Sequence, residues 1–241
     1  MRSATAGTWP FRPNPYEDEL LSSWVTRIAL GHGLKLSAFL SIVGIETNPL
    51  TLDLDAAEDV LTFLAEKTGR DRSELLKLKL PFANGPKDLV YRNASGPAVQ
   101  YCPACLAETA YFRRIWRVSF IRVCKRHSTA LVDCCGGCGA AVRFEELDPA
   151  FGKISVCRNC LHDLAFERAM VIDQKLANRL GRIAGAAILV FNSVRGESAI
   201  VRKRSLLTLT RRTFLRQISV IGRLVSNSNP SPFHVNGRAL P

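Results

Sequence analysis

Eight cysteines and one histidine fall at intervals that leave the middle of this 241-residue chain little freedom. Three C-x-x-C pairs stand at Cys102/Cys105, Cys135/Cys138 and Cys157/Cys160, and Cys124-Lys125-Arg126-His127 supplies a C-x-x-H. Eighteen residues separate Cys105 from Cys124, and eighteen separate Cys138 from Cys157. The unit C-x2-C-x18-C-x2-[H/C] therefore occurs twice, offset by 33 residues. A C-x-x-C turn aims two thiolates at one point, and two facing turns complete the tetrahedron that structural zinc requires. The spacing predicts tandem zinc ribbons holding two structural zinc ions. Cys102, Cys105, Cys124 and His127 form the first ligand set, and Cys135, Cys138, Cys157 and Cys160 the second. Both sets are full, with no position left for a catalytic water. Cross-bracing, with knuckles one and three on one ion, uses the same ligands, but the duplicated unit favours sequential ribbons. Cys134 in place of Cys135 would give C-x3-C, out of step with the other knuckles, so Cys134 is read as a spare, half-buried thiol. His162 falls outside a set already full, and His32 and His234 are isolated.

Composition narrows the class. Hydrophobic residues make up 47% and charged residues 22%, ordinary for a globular protein. The longest apolar run, Ile183–Phe191, is too short to span a bilayer. Met1–Pro10 has no apolar signal-peptide core, so a cytoplasmic, nucleoid-associated chain with metal-bound rather than disulfide-bonded cysteines is expected. The net charge of +12 is uneven: residues 1–100 carry −1, residues 101–170 carry +3 and residues 171–241 carry +10. Closing both metal sites on seven thiolates and two dications leaves about +9. Such an asymmetry favours a polyanionic partner, most simply nucleic acid.

Residues 10–80 read as a helical, helix-turn-helix-like domain. Asn14-Pro15-Tyr16-Glu17 has the order of an N-cap, a Pro at N1 and a Glu at N3. Leu20, Leu21, Trp24, Val25 and Ile28 then mark an apolar helix face, stopped at Gly31 and Gly33. A second helix is expected over about 37–43. Asp55-Ala56-Ala57-Glu58 and Asp71-Arg72-Ser73-Glu74 read as two further capping boxes. Ala65, Gly69 and Leu75 have the internal spacing of a DNA-binding helix-turn-helix, with Lys77 and Lys79 on its second helix. Packing or docking explains the same pattern. Residues 81–100, rich in Pro, Gly and Asn, read as a linker, and the zinc-ribbon region follows over 101–165.

Between the first two knuckles, Tyr111-Phe112-Arg113-Arg114-Ile115-Trp116-Arg117-Val118 interleaves aromatic and basic residues. The stretch suits ribbon strands. Arg113, Arg114 and Arg117 either hold phosphates beside stacked bases or form the solvent face over an aromatic core. Residues 171–226 read as basic C-terminal helices, one over about 173–193 and one over about 204–225. Arg202, Lys203, Arg204, Arg211, Arg212 and Arg216 are candidate nucleic-acid contacts there, and residues 227–241 a disordered tail. No phosphate-binding loop, nucleophile elbow or H-E-x-x-H motif occurs, and no enzyme activity is expected.

Pro15 followed by Glu19-Leu20-Leu21-Ser22-Ser23-Trp24, then Tyr101-Cys102-Pro103-Ala104-Cys105-Leu106, the Tyr111–Trp116 stretch and Cys124-x-x-His127, resembles the TniQ family. Cys135-x-x-Cys138-Gly139 and Cys157-x-x-Cys160 before Asp163-Leu164 extend the resemblance to about residue 165. The resemblance implies a mainly α fold with small zinc-ribbon β elements: a helix-turn-helix domain, tandem ribbons and C-terminal helices. It implies a non-catalytic adaptor that selects transposition targets, binds DNA or a guide-RNA effector complex, and recruits an AAA+ ATPase regulator. A transposase and a second copy of the chain are further candidate partners, with no membrane involved. A zinc-ribbon transcription regulator is the competing reading. A thiol redox protein is the weaker third, since metal claims all four knuckles.

Overall fold

Five short helices build the first eighty residues, and their ends follow local punctuation only where no distant partner intervenes. The computed structural model describes residues 7–80, 89–93 and 96–193. The helices are α1 (Leu21–Gly31), α2 (Leu36–Ile42), α3 (Pro49–Asp55), α4 (Glu58–Thr68) and α5 (Arg72–Leu78). The Asn14–Glu17 signal does not open α1. The chain turns at Glu17–Asp18 and stays out of the helix through Leu20, because Glu19 bridges Arg113 in an antiparallel pair and Leu20 N donates to Phe112 O at 2.9 Å. Long-range pairing there outcompetes a local cap.

The Asp55 box is corrected too, by a competing local signal. Asn48 opens α3, accepting from Thr51 N, and Pro49 sits where a missing N–H costs nothing. Asp55 then ends α3, and α4 begins at Glu58 with no side-chain cap. Gly69 closes α4 with φ +67, a left-handed conformation that glycine adopts freely. Leu75, fully buried, plugs the α4–α5 pair. The helix-turn-helix connection expected from Ala65, Gly69 and Leu75 is therefore present. Trp24, Val25, Ile28, Leu36, Phe39, Leu52, Leu61, Leu64, Leu75 and Leu78 share one core.

The expected linker over 81–100 does not describe residues 89–100. Val90, Tyr91, Ala98, Val99 and Gln100 are buried. Here β1 (Arg92–Asn93) pairs antiparallel with β2 (Gly96–Pro97), Val90 bridges Val118, and Tyr91 N donates to Arg117 O at 2.7 Å. This segment packs on the ribbon instead of leading to it. Next come α6 (Pro103–Glu108) and the antiparallel pair β3 (Val123–Cys124) and β4 (Thr129–Ala130). Residues 170–172 line the far edge of β4 through Ala130 N to Met170 O and Ile172 N to Ser128 O. The aromatic-basic stretch, expected as strand, turns through a 3-10 helix at Arg114–Arg117. Its buried residues answer to the helical domain, so the period-two pattern of a ribbon strand does not apply.

Finally α7 (Gln174–Ser193) lies where the first C-terminal helix was expected, and Ala177 packs with Val123, Ala130 and Ile172. The described residues belong to one compact unit that ends at Ser193. The second C-terminal helix, the tail, and Arg202, Lys203, Arg204, Arg211, Arg212 and Arg216 lie outside the described residues. No described helix is long and apolar enough to cross a membrane.

Candidate metal centres and the interface beside them

The first knuckle is carried by a helix rather than a hairpin. Cys102 is the N-cap residue of α6 and Pro103 its first turn, so Cys105 lies one turn on and faces the same way. The other three knuckles are hairpin turns with one shared device. The residue just after the last ligand takes a left-handed conformation: Ser128 (φ 51) after His127, Gly139 (φ 71) after Cys138, and Leu161 (φ 63) after Cys160. Hydrogen bonds repeat as well. Gly139 N donates to Cys135 O at 2.7 Å and Leu161 N to Cys157 O at 3.0 Å, while Cys135 N and Cys157 N each donate at 2.8 Å to Ala140 O and His162 O.

These turns bring the donors together in two sets, Cys102, Cys105, Cys124 and His127 in one, Cys135, Cys138, Cys157 and Cys160 in the other. Within each set the ligand atoms lie within 4.8 Å of one another. Cys105 Sγ is 3.7 Å from Cys124 Sγ, and His127 Nδ1 is 3.4, 3.3 and 3.6 Å from the sulfurs of Cys102, Cys105 and Cys124. In the second set Cys135 to Cys160 is 3.6 Å and Cys138 to Cys157 is 3.7 Å. Zinc–sulfur bonds of ~2.3 Å at tetrahedral angles give edges of roughly 3.7 Å, so both donor sets fit zinc. The grouping is sequential, and the register uses Cys135. Cys134 pairs with Ala141 across the hairpin, outside the donor set, and burial pushes its thiol up.

The ligands are themselves held. His127 presents Nδ1 to the sulfurs while Nε2 lies 3.1 Å from Glu108 Oε1, and Arg126 holds the other Glu108 oxygen at 3.0 Å. A carboxylate on the far nitrogen fixes a ligand histidine's tautomer and ring orientation. Glu108 escaped the sequence reading, although it stands one helical turn after Cys105, a spacing that places both on one face. Thr129 Oγ1 lies 3.4 Å from Cys102 Sγ, and Asn159 N donates to Cys157 Sγ at 3.4 Å. Cys102 is held well below the ordinary thiol range, first by the hydrogen bond from Cys105 and then by that from Cys124. Cys105 is raised by the same contact. In the second set Cys138 and Cys160 are exposed. Glu167 Oε2 accepts from Gly136 N at 2.7 Å, and a Cβ added at Gly136 would have to displace that carboxylate. His162 packs beside Gly137 and is not a ligand.

Beside the first metal site runs a buried polar seam to the helical domain. Arg117, 1% exposed, places Nε 2.8 Å from Asp53 Oδ2, and Asp53 is 0% exposed. The Arg117 Nε contact is an ion pair without hydrogen-bond alignment, and Nη2 is buried without a hydrogen-bond partner. Asp53 also accepts from Ser22 N and Ser22 Oγ, each at 2.8 Å, and so caps the start of α1 from another helix. Burial raises its carboxyl to about 6 against the pull of Arg117. Glu19, raised by burial to about 7, accepts from Tyr16 N and Ser23 Oγ and faces Arg27 at 3.5 Å. Ser23 Oγ in turn accepts from Phe112 N at 3.0 Å. Arg113 donates to Asp18 at 2.5 Å and lies over Tyr111 and Trp116, while Arg114 reaches Lys79 O at 3.5 Å. Phosphate contact is therefore corrected for Arg117, whose charge faces inward. Arg113 and Arg114 are half-buried and engaged by the helical domain.

The fold is a helical domain carrying a helix-turn-helix connection, joined by a polar seam to two four-donor clusters that could each hold a metal ion. The sequence model of the TniQ family matches residues 10–131, half of the chain, and the protein belongs to that family. Membership makes it a transposition-associated target-selection protein. The matched span takes in the helical domain and the first metal site and stops before the second. No curated protein matches the chain.

Proposed function

We propose that this protein is a non-catalytic adaptor of transposition, which binds nucleic acid or a guide-RNA effector complex and recruits an AAA+ ATPase regulator. The observation that carries the reading is the family match over residues 10–131, which runs unbroken across the helical domain, the seam and the first metal site. Both four-ligand sets suit structural zinc, which stabilises a fold without offering an open coordination site. When bound, zinc would lock α6 to the β3–β4 hairpin through Cys102, Cys105, Cys124 and His127. The second set would close its two hairpins in the same way. Holding two partners on one scaffold raises the effective concentration of each near the other, and that requires no chemistry.

The test is co-purification with an AAA+ ATPase encoded beside its gene, with and without target DNA. The ATPase is expected to be retained, and more strongly with DNA. Nicking or joining of DNA by the purified protein with Mg2+, or targeted insertion unchanged by its deletion, would overturn the reading.

A further inference from the structure

Several exposed cations among the described residues face an acid. Lys35 faces Asp148, Arg72 Glu58, Arg126 Glu108 and Arg158 Glu146. Helix α7 groups its cations on one face with no acid in the helix. Lys175, Arg179 and Arg182 are all exposed, and their i, i+4, i+7 spacing puts them on one stripe. The opposite side, through Ala177 and Leu180, packs on the first ribbon. No Asp or Glu occurs within Gln174–Ser193. Among the described residues none of the three cations is in an ion pair. Lys125, from the turn between Cys124 and His127, joins them from the ribbon side. Its stem lies over Gly181, where an added Cβ would come 3.0 Å from Lys125 Cδ.

Like charges at i, i+3 and i, i+4 disfavour a lone helix, so an uncompensated stripe of them is suited to an anionic partner. Lys175 to Arg182 spans roughly 10 Å of helix at 1.5 Å per residue, against one phosphate charge per ~1.7 Å of duplex axis. The chain continues the same sign beyond Ser193: residues 194–241 hold nine basic residues and one acidic. We propose that the exposed stripe of α7, with Lys125, is a contact surface for the phosphate backbone of duplex DNA. This rests on the nucleic-acid part of the proposed function, and it moves the contact away from Arg113, Arg114 and Arg117, which the seam engages.

The experiment uses the full-length, zinc-loaded protein and a labelled DNA duplex of arbitrary sequence, titrated by fluorescence anisotropy over a KCl series. Each phosphate neutralised contributes about −0.9 to the slope of log K against log salt. Lys175→Gln/Arg179→Gln/Arg182→Gln is expected to flatten that slope by about 2 to 3, and Lys125→Gln by about 1. Lys35→Gln, a cation already paired with Asp148, is expected to leave it unchanged. Circular dichroism and zinc content establish that the variants fold. If the triple variant does not fold, the single Arg179→Gln and Arg182→Gln variants are each expected to flatten the slope by about 1. A wild-type slope in these variants, with the wild type binding, overturns the surface and leaves the adaptor reading standing. A wild type that binds no duplex at any salt concentration overturns both the surface and the nucleic-acid part of that reading. Retention of the ATPase without DNA would still support its recruiting part.

Discussion

Asp53 and Arg117 face each other in the seam with almost no solvent, and the two charges cannot be removed at equal cost. Asn at position 53 keeps an acceptor for Ser22 N and nearly the same volume, but strands the guanidinium. A guanidinium cannot shed its proton at ordinary pH, and breaking a buried pair from one side costs about 3–5 kcal/mol. That is a large share of a folding free energy of roughly 5–15 kcal/mol. Arg117→Met strands the carboxylate instead, and a carboxylate can take up a proton. Burial already raises Asp53 to about 6 with the guanidinium 2.8 Å away. Without that cation it rises further.

The sign follows from linkage. A carboxyl raised in the fold binds a proton that the unfolded chain has lost, so stability is kept at low pH and falls as pH rises. Arg117→Met should therefore cost up to roughly 2–3 kcal/mol more at pH 8 than at pH 6. Asp53→Asn should cost about 3 kcal/mol or more at both pH values. The double variant carries neither charge and should return to within about 1–1.5 kcal/mol of wild type. Guanidinium unfolding followed by tryptophan fluorescence, with zinc present, measures all four proteins. Trp24 and Trp116 are buried on the two sides of the seam and report its opening. An Asp53→Asn protein within about 1 kcal/mol of wild type, or an Arg117→Met cost independent of pH, would refute the reasoning.

The metal register is checked by elemental analysis: wild type and Cys134→Ser should hold two zinc ions per chain, whereas Cys105→Ser should lose the first. A Cys134→Ser protein that loses a metal would refute the assignment of Cys135. Glu108→Gln should weaken the first site by about 10- to 100-fold in a chelator competition and leave the second untouched. Equal weakening of both sites would mean that its contact with His127 is not what matters. Glu19, raised by burial from 4.5 to about 7, contributes stability that is complete below 4.5 and is lost as pH rises through 7. Glu19→Gln has no such loss, so it should gain on wild type by on the order of 3 kcal/mol between pH 5 and pH 8. A constant difference in melting temperature across that range would contradict it.

The two donor clusters were legible because their information is one-dimensional. Two cysteines three positions apart converge whatever surrounds them, and the repeated gap of eighteen residues names the partner turn. Gly69 was legible for a similar reason, since its conformation is local. Asn14 and residues 89–100 were misread because their outcome depends on distant chain, and Asp55 because it closes the helix that Asn48 opens. A capping signal at Asn14 yields to the pairing of residues 18–20 with 112–114, and a stretch with linker composition packs because Val90 and Tyr91 find Val118 and Arg117. The first knuckle also departs from its expected form, because Pro103 after Cys102 starts a helix where a hairpin turn was expected.

The seam explains why two unremarkable polar patterns travel in one family motif. Within Glu19-Leu20-Leu21-Ser22-Ser23-Trp24, Trp24 enters the helical core, while Glu19, Ser22 and Ser23 are fully buried. Polar residues at consecutive turns of a helix start read as solvent-facing until their partners are known. Those partners lie in the aromatic-basic stretch: Ser23 meets Phe112, 89 residues away, and Asp53, held by Ser22, meets Arg117. Each half therefore supplies what the other lacks. The helical side brings carboxylates that burial alone would protonate, and the ribbon side brings arginines that burial alone would not tolerate. Basic residues among aromatics suggested phosphate contact because a local window shows the charge and not its counter-ion. With Arg113 and Arg117 engaged by Asp18 and Asp53, the three exposed cations on one stripe of α7 are better placed to meet an external anion. A zinc ion in the first donor set would act on function at one remove. It would fix Cys102 and Cys105 on α6 against the β3–β4 hairpin, that hairpin carries Lys125 and the packing face of α7, and losing the zinc should loosen the basic stripe together with its support.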